Sequence, residues 1–203
     1  VDRLSALGLS AELLRDAILA GELARSSCTD NDPPALGGIL GWGRTVRALR
    51  ERTVPLGWRR SEAGRLSTTV HPCGDLAVAV ATGDEGTGLA DGYPRTKHPK
   101  GPATAAAVER NQLSLPGFEP EAARTEEVVT LGPAAVTWLL LIARTGAEVR
   151  CELSLPGRIG EDDRVEEWQE RIILEPVSVG PTPDFEKLEA PADVDVVVER
   201  RVS

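Results

Sequence analysis

Aromatic residues make up only 3% of the chain. A core built without them draws its volume from Leu, Val, Ile and Ala, and the four tryptophans mark where it lies. Histidine occurs only at His71 and His98, which leaves few bases for a Ser-His-Asp or Cys-His arrangement. Lysine stands only at Lys97, Lys100 and Lys187. None of the three lies in a segment that reads as strand, so the nuclease pattern of an acidic residue followed by Glu-x-Lys is missing. Cys28, Cys73 and Cys151 are an odd number at unrelated spacings; they imply no disulfide framework, and a reducing compartment is expected. Long apolar runs are also lacking. The longest, Ala134 to Ala143, is interrupted by Thr137 and is far too short to span a bilayer. No basic region leads into an apolar run near Val1, and the expectation is a cytoplasmic protein without a membrane partner.

What is present is ordinary for a globular chain. The 203 residues are 41% hydrophobic and 27% charged, enough to bury a genuine core as a single domain over residues 1–203. A net charge of −9 opposes broad contact with a phosphate backbone, because such binding draws on clustered Lys and Arg.

Apolar spacing predicts two N-terminal helices. Ser10 is placed to cap the first, which runs to about Ala24 with Leu14, Ala17, Ile18, Gly21 and Ala24 on one face and Glu12, Arg15, Asp16 and Glu22 toward water. Asp32 precedes Pro33 and reads as the cap of the second, with Leu36, Ile39, Leu40, Trp42, Val46 and Leu49 inward and a stop before Pro55. From Trp58 the period changes to two through Leu66, Thr68 and Val70, then the turn His71-Pro72-Cys73-Gly74, then Leu76, Val78 and Val80. Residues 83–102 carry no apolar periodicity. Ala103 to Arg110 reads as a short helix and Gln112 to Pro120 as a second irregular segment. Trp138 to Ala143 and Val149 to Leu155 flank the turn Thr145-Gly146, with Val149, Cys151, Leu153 and Leu155 on a buried face and Arg150, Glu152 and Ser154 on a wet one. Glu167 to Leu174 and Asp193 to Arg200 are further strands, with a helical alternative for Glu161 to Trp168. The fold class is α+β: two N-terminal helices, then a mainly antiparallel sheet built from hairpins, with an irregular central segment 83–120 and a flexible stretch 178–192.

Candidate chemistry is sparse. Thr82-Gly83-Asp84-Glu85-Gly86-Thr87-Gly88 follows a strand, but it lacks the Gly-Lys-Ser/Thr of a phosphate loop, and Asp84 and Glu85 would repel phosphate. Asp84, Glu85 and Asp91, or Asp30 and Asp32, offer oxygen ligands without calcium-loop spacing. His71 and Cys73 form a His-x-Cys pair, for which Cys28, Cys151 and His98 are the remaining scattered zinc ligands. No metal or other cofactor is expected. Arg95, Lys97 and Lys100 form a basic cluster in an extended segment, positioned either as a linker or to touch DNA phosphates.

Gln112-Leu113-Ser114-Leu115-Pro116-Gly117-Phe118 resembles the peptides by which bacterial replication and repair proteins bind the DNA polymerase sliding clamp. The resemblance implies that Gln112 bonds the rim of a pocket while Leu113, Leu115 and Phe118 supply apolar anchors. On that basis the expected function is a non-enzymatic interaction or regulatory protein of DNA metabolism, with the clamp as protein partner and limited DNA contact. The alternatives are a metal-dependent hydrolase or nuclease-like enzyme using Asp84 and Glu85, and an acidic inhibitory protein that mimics nucleic-acid charge.

Overall fold

The computed structural model describes residues 3–113, 135–146 and 148–179. Helices α1 (Arg3–Ala6), α2 (Ala11–Ser26) and α3 (Leu36–Thr53) precede strands β1 (Arg59–Ser61), β2 (Thr68–Val70) and β3 (Leu76–Thr82). Helix α4 (Pro102–Leu113) follows, then β4 (Val136–Thr145), β5 (Glu148–Ile159) and β6 (Val165–Ser178). The strands form one six-stranded sheet in sequence order, antiparallel throughout except for the parallel pair β3 and β4. The α+β, mainly antiparallel expectation therefore holds. The helices are not all N-terminal, however: α4 lies between β3 and β4, where a parallel pair needs a crossover rather than a hairpin.

Local chemistry accounts for most element boundaries. The Ser10 hydroxyl accepts a hydrogen bond from the Leu13 amide at 3.1 Å and starts α2. Asp32 does not cap α3. Its carboxylate accepts from the Thr29 amide at 2.8 Å, closing a turn, and α3 begins after Ala35 with no side-chain cap. Helix α3 stops at Thr53, ahead of Pro55. Gly74 and Gly146, at φ +79° and +61°, supply the left-handed turn residues of the β2–β3 and β4–β5 hairpins. Residues 161–164 form the turn before β6 and residues 165–168 open that strand, so the segment is not a helix.

Both faces of the sheet are covered. On one, Leu14, Ile18 and Leu49 of α2 and α3 pack with Trp58, Val78, Trp138, Leu140, Val149 and Leu153. On the other, Val108 of α4 packs with Ala79, Ala81, Leu139, Leu141 and Val165. This explains the run Leu139-Leu140-Leu141, because a strand buried on both sides is apolar at every position. Each fully buried leucine of this run contributes roughly 2 kcal/mol.

The supposedly wet face of β5 is therefore corrected. Glu152 and Ser154 are both wholly buried. Ile39 and Trp42, expected inward on α3, are instead 60% and 44% exposed. The Glu22 side chain, expected in water, is only 12% exposed.

Candidate functional site

A cleft of about 490 Å³ opens at the carboxyl ends of β3 and β4, between them and helices α2 and α3. Its volume is in the range of small-molecule sites, and the carboxyl end of a parallel pair is where open sheets with a parallel pair commonly hold ligands. Ile18, Glu22 and Arg25 reach it from one face of α2, and Gly38, Gly41, Trp42 and Thr45 from one face of α3. Val80 to Glu85 and Ile142 to Thr145 form the sheet side, and Lys97 completes the rim.

Two α3 glycines, Gly38 and Gly41, stand on the helix side of the cleft. A Cβ at Gly38 would meet nothing within 4 Å, so the space a side chain would fill is open. Trp42 forms one wall, its indole N–H donating to the Val80 carbonyl at 3.1 Å. Glu22 faces Arg144 at 3.6 Å. Burial pushes the Glu22 carboxyl above its ordinary value, and Arg144 and Arg25 pull it part of the way back. Arg25 buries its Nε without a hydrogen-bond partner. The lining thus sets Glu22, Asp84 and Glu85 against Arg25, Lys97 and Arg144, over an apolar floor of Ile18, Val80 and Ile142.

The glycine-rich segment after β3 is a strap packed on the sheet, not a phosphate cradle. A Cβ on Gly83 would lie 2.0 Å from the Thr87 hydroxyl oxygen, and one on Gly92 would lie 2.3 Å from the Gly86 carbonyl oxygen. The glycines are there for close approach. The strap is tied down from β5 and β6. Glu152 pairs with Arg171 at 2.6 Å and accepts from the Gly88 amide at 2.9 Å and the Ser154 hydroxyl at 2.7 Å. Arg171 in turn donates to the carbonyls of Gly92 and Leu89 at 2.7 and 3.0 Å. Trp168 donates to the Pro94 carbonyl at 2.7 Å. Thr96 is fully buried and exchanges hydrogen bonds with Val165.

Of the basic cluster, Arg95 meets Asp162 at 2.9 Å and Glu166 at 3.1 Å. Lys100 is half-buried, and that burial lowers its pKa. Lys97 is exposed at the cleft rim. Asp84 accepts from the Gly86 amide at 3.1 Å, as a turn residue does. Glu85 is exposed, and neither belongs to a group of three potential metal ligands among the described residues. Near the β5–β6 turn, carboxylates and arginines interleave: Arg158 meets Glu166 and Glu167, and Arg164 meets Asp162. That surface is not an unbroken run of negative charge.

Gln112 and Leu113 are not in an irregular segment; they end α4. The Gln112 amide donates to the Gly157 carbonyl at 2.6 Å. Beside it the buried Asn111 donates to the carbonyls of Thr137 and Pro156 at 3.0 and 3.2 Å, and accepts from the Thr137 amide at 2.8 Å. These amides fasten the end of α4 to β4 and β5. Leu115 and Phe118 lie outside the described residues, as do Asp193 to Arg200 and 180–192 of the stretch expected to be flexible.

Sequence reading missed the cleft because its polar groups come from four separate segments and its space comes from missing side chains. The signal that was available is the run Gly37-Gly38 with Gly41 and Gly43 inside a helix, which intrinsic propensity alone disfavours. Compared with protein-family models, with curated proteins and with solved structures, the chain matches none.

Proposed function

We propose that the protein is a non-enzymatic binding protein whose cleft takes a small zwitterion with an apolar portion, of the amino-acid or short-peptide class. The observation that carries this reading is the balance of charge around an apolar floor: Arg25, Lys97 and Arg144 against Glu22, Asp84 and Glu85. A ligand of one sign would be repelled by half of that lining, whereas one bearing both a carboxylate and an ammonium is matched by it. The half-exposed face of Trp42 offers contact area to an apolar side chain.

Isothermal titration with free amino acids and dipeptides, against simple carboxylates and amines as comparators, tests this. Zwitterions should bind and the single-charge comparators should not. Gly38→Leu should fold normally, because its Cβ enters open space, and should lose binding. Failure of every zwitterion at millimolar concentration, or equal binding by Gly38→Leu, overturns the reading.

A second reading rests on the resemblance of residues 112–118 to clamp-binding peptides. In this reading the Gln112 side chain, one of whose amide hydrogens is held by the Gly157 carbonyl, turns its remaining donor and its carbonyl oxygen to the clamp. A purified bacterial sliding clamp should then bind the protein, and Gln112→Ala should weaken the complex. If the clamp does not bind at tens of micromolar, this reading is lost.

A further inference from the structure

At the opposite end of β3 from the cleft, the β2–β3 turn brings together three side chains of different chemistry. His71, Cys73 and Asp75 each present one donor atom, and these atoms lie within 4.8 Å of one another. His71 Nδ1 is 2.5 Å from Cys73 Sγ, and Sγ also touches Asp75 Oδ1. Among the described residues this is the one group of three such ligands. They stand two positions apart along one turn, and the Cys73 thiol contacts both of its neighbours.

The turn holds its donors in place. The His71 amide donates to the Leu76 carbonyl at 2.8 Å, and the Gly74 amide to the His71 carbonyl at 2.9 Å, with Gly74 left-handed. The His71 ring is set edge-on against the buried Trp58, with centroids 4.9 Å apart. The Cys73 amide also lies at 3.3 Å from its Nδ1.

We propose that His71 Nδ1, Cys73 Sγ and Asp75 Oδ1 bind one divalent cation of the zinc class, with water in the fourth position. Mixed nitrogen, sulfur and oxygen donors suit zinc, whose ligand bonds run from about 2.0 to about 2.3 Å in a tetrahedral arrangement. Seating the ion requires the imidazole nitrogen and sulfur to part by roughly 1 Å, to the ligand separations those bond lengths dictate. Cys73 and Asp75 are exposed, so rotation of their side chains meets no packing. Cys151 does not compete: it is buried, and burial first, then Glu152, pushes its thiol up to about 11.

The test is titration of chelator-treated full chain with cobalt and then zinc. One equivalent of cobalt should bind with a thiolate-to-metal charge-transfer band, and zinc should displace it. Cys73→Ser should remove the band, and both Cys73→Ser and Asp75→Asn should weaken zinc by at least about tenfold, since even loss of an outer-shell partner costs that much. Cys28→Ser should behave as wild type. Both ligand variants lie at exposed positions, and their circular dichroism should match that of wild type. The proposal is overturned if wild type takes up neither metal at tens of micromolar, if Cys73→Ser keeps the band, or if Asp75→Asn binds zinc as tightly as wild type. None of these outcomes touches the cleft, which lies at the other end of the strand.

Discussion

Glu152 is the residue whose environment departs furthest from its sequence pattern. A carboxylate with no solvent exposure is tolerable only when paired and fully hydrogen-bonded. Here Arg171 supplies a bidentate contact, through Nε at 3.1 Å and a terminal nitrogen at 2.6 Å, while Ser154 and the Gly88 amide complete the shell. Arg171→Met should therefore cost about 3 kcal/mol in urea denaturation, because it strands a buried charge. Replacing both partners, as Glu152→Leu with Arg171→Met, should recover part of that loss. Hydrogen exchange at residues 86–96 should accelerate in the single variant, since Arg171 also holds the carbonyls of Leu89 and Gly92. Unchanged exchange there would show that the strap is held by its other contacts.

Among the elements, α2 and α3 show how glycine serves opposite ends. A Cβ on Gly21 would fall 2.0 Å from the Thr45 hydroxyl oxygen and 2.7 Å from the Gly41 carbonyl oxygen. The helices touch backbone to backbone there, and Gly21→Ala should destabilise by about 1 to 3 kcal/mol through overpacking. Gly43 has nothing within 4 Å of its Cβ, so Gly43→Ala should stabilise by about 0.5 to 1 kcal/mol by removing backbone entropy. Thermal unfolding of the two variants should move in opposite directions. Helix α2 was legible in its cap and its apolar face, but not at Glu22, which turns from the expected polar side into the cleft. Helix α3 was legible as a helix but not in its orientation: Trp42 and Ile39 have the spacing of an inward face, yet Trp42 borders the open cleft and Ile39 is largely exposed. Helix α4 was legible to Arg110, and its last turn was not, since Asn111 and Gln112 stay helical through bonds to β4 and β5.

In the molecule as a whole, the period of the sequence was enough for the antiparallel hairpins, because alternation and turn glycines act within a dozen residues of one another. It was also enough for the class of fold and for the lack of a helix long and apolar enough to cross a membrane among the described residues. The second covered face was beyond it. Alternation reports which residues are apolar, and Glu152 and Ser154 read as wet until Arg171 and the strap, 19 and 64 residues away from Glu152, arrive to satisfy them. The two candidate sites divide in the same way. His71, Cys73 and Asp75 sit at alternate positions and were half visible as a His-x-Cys pair, with Asp75 brought in by the curl of the turn. The cleft was invisible, because it is defined by where four distant segments leave space, and packing alone fixes that.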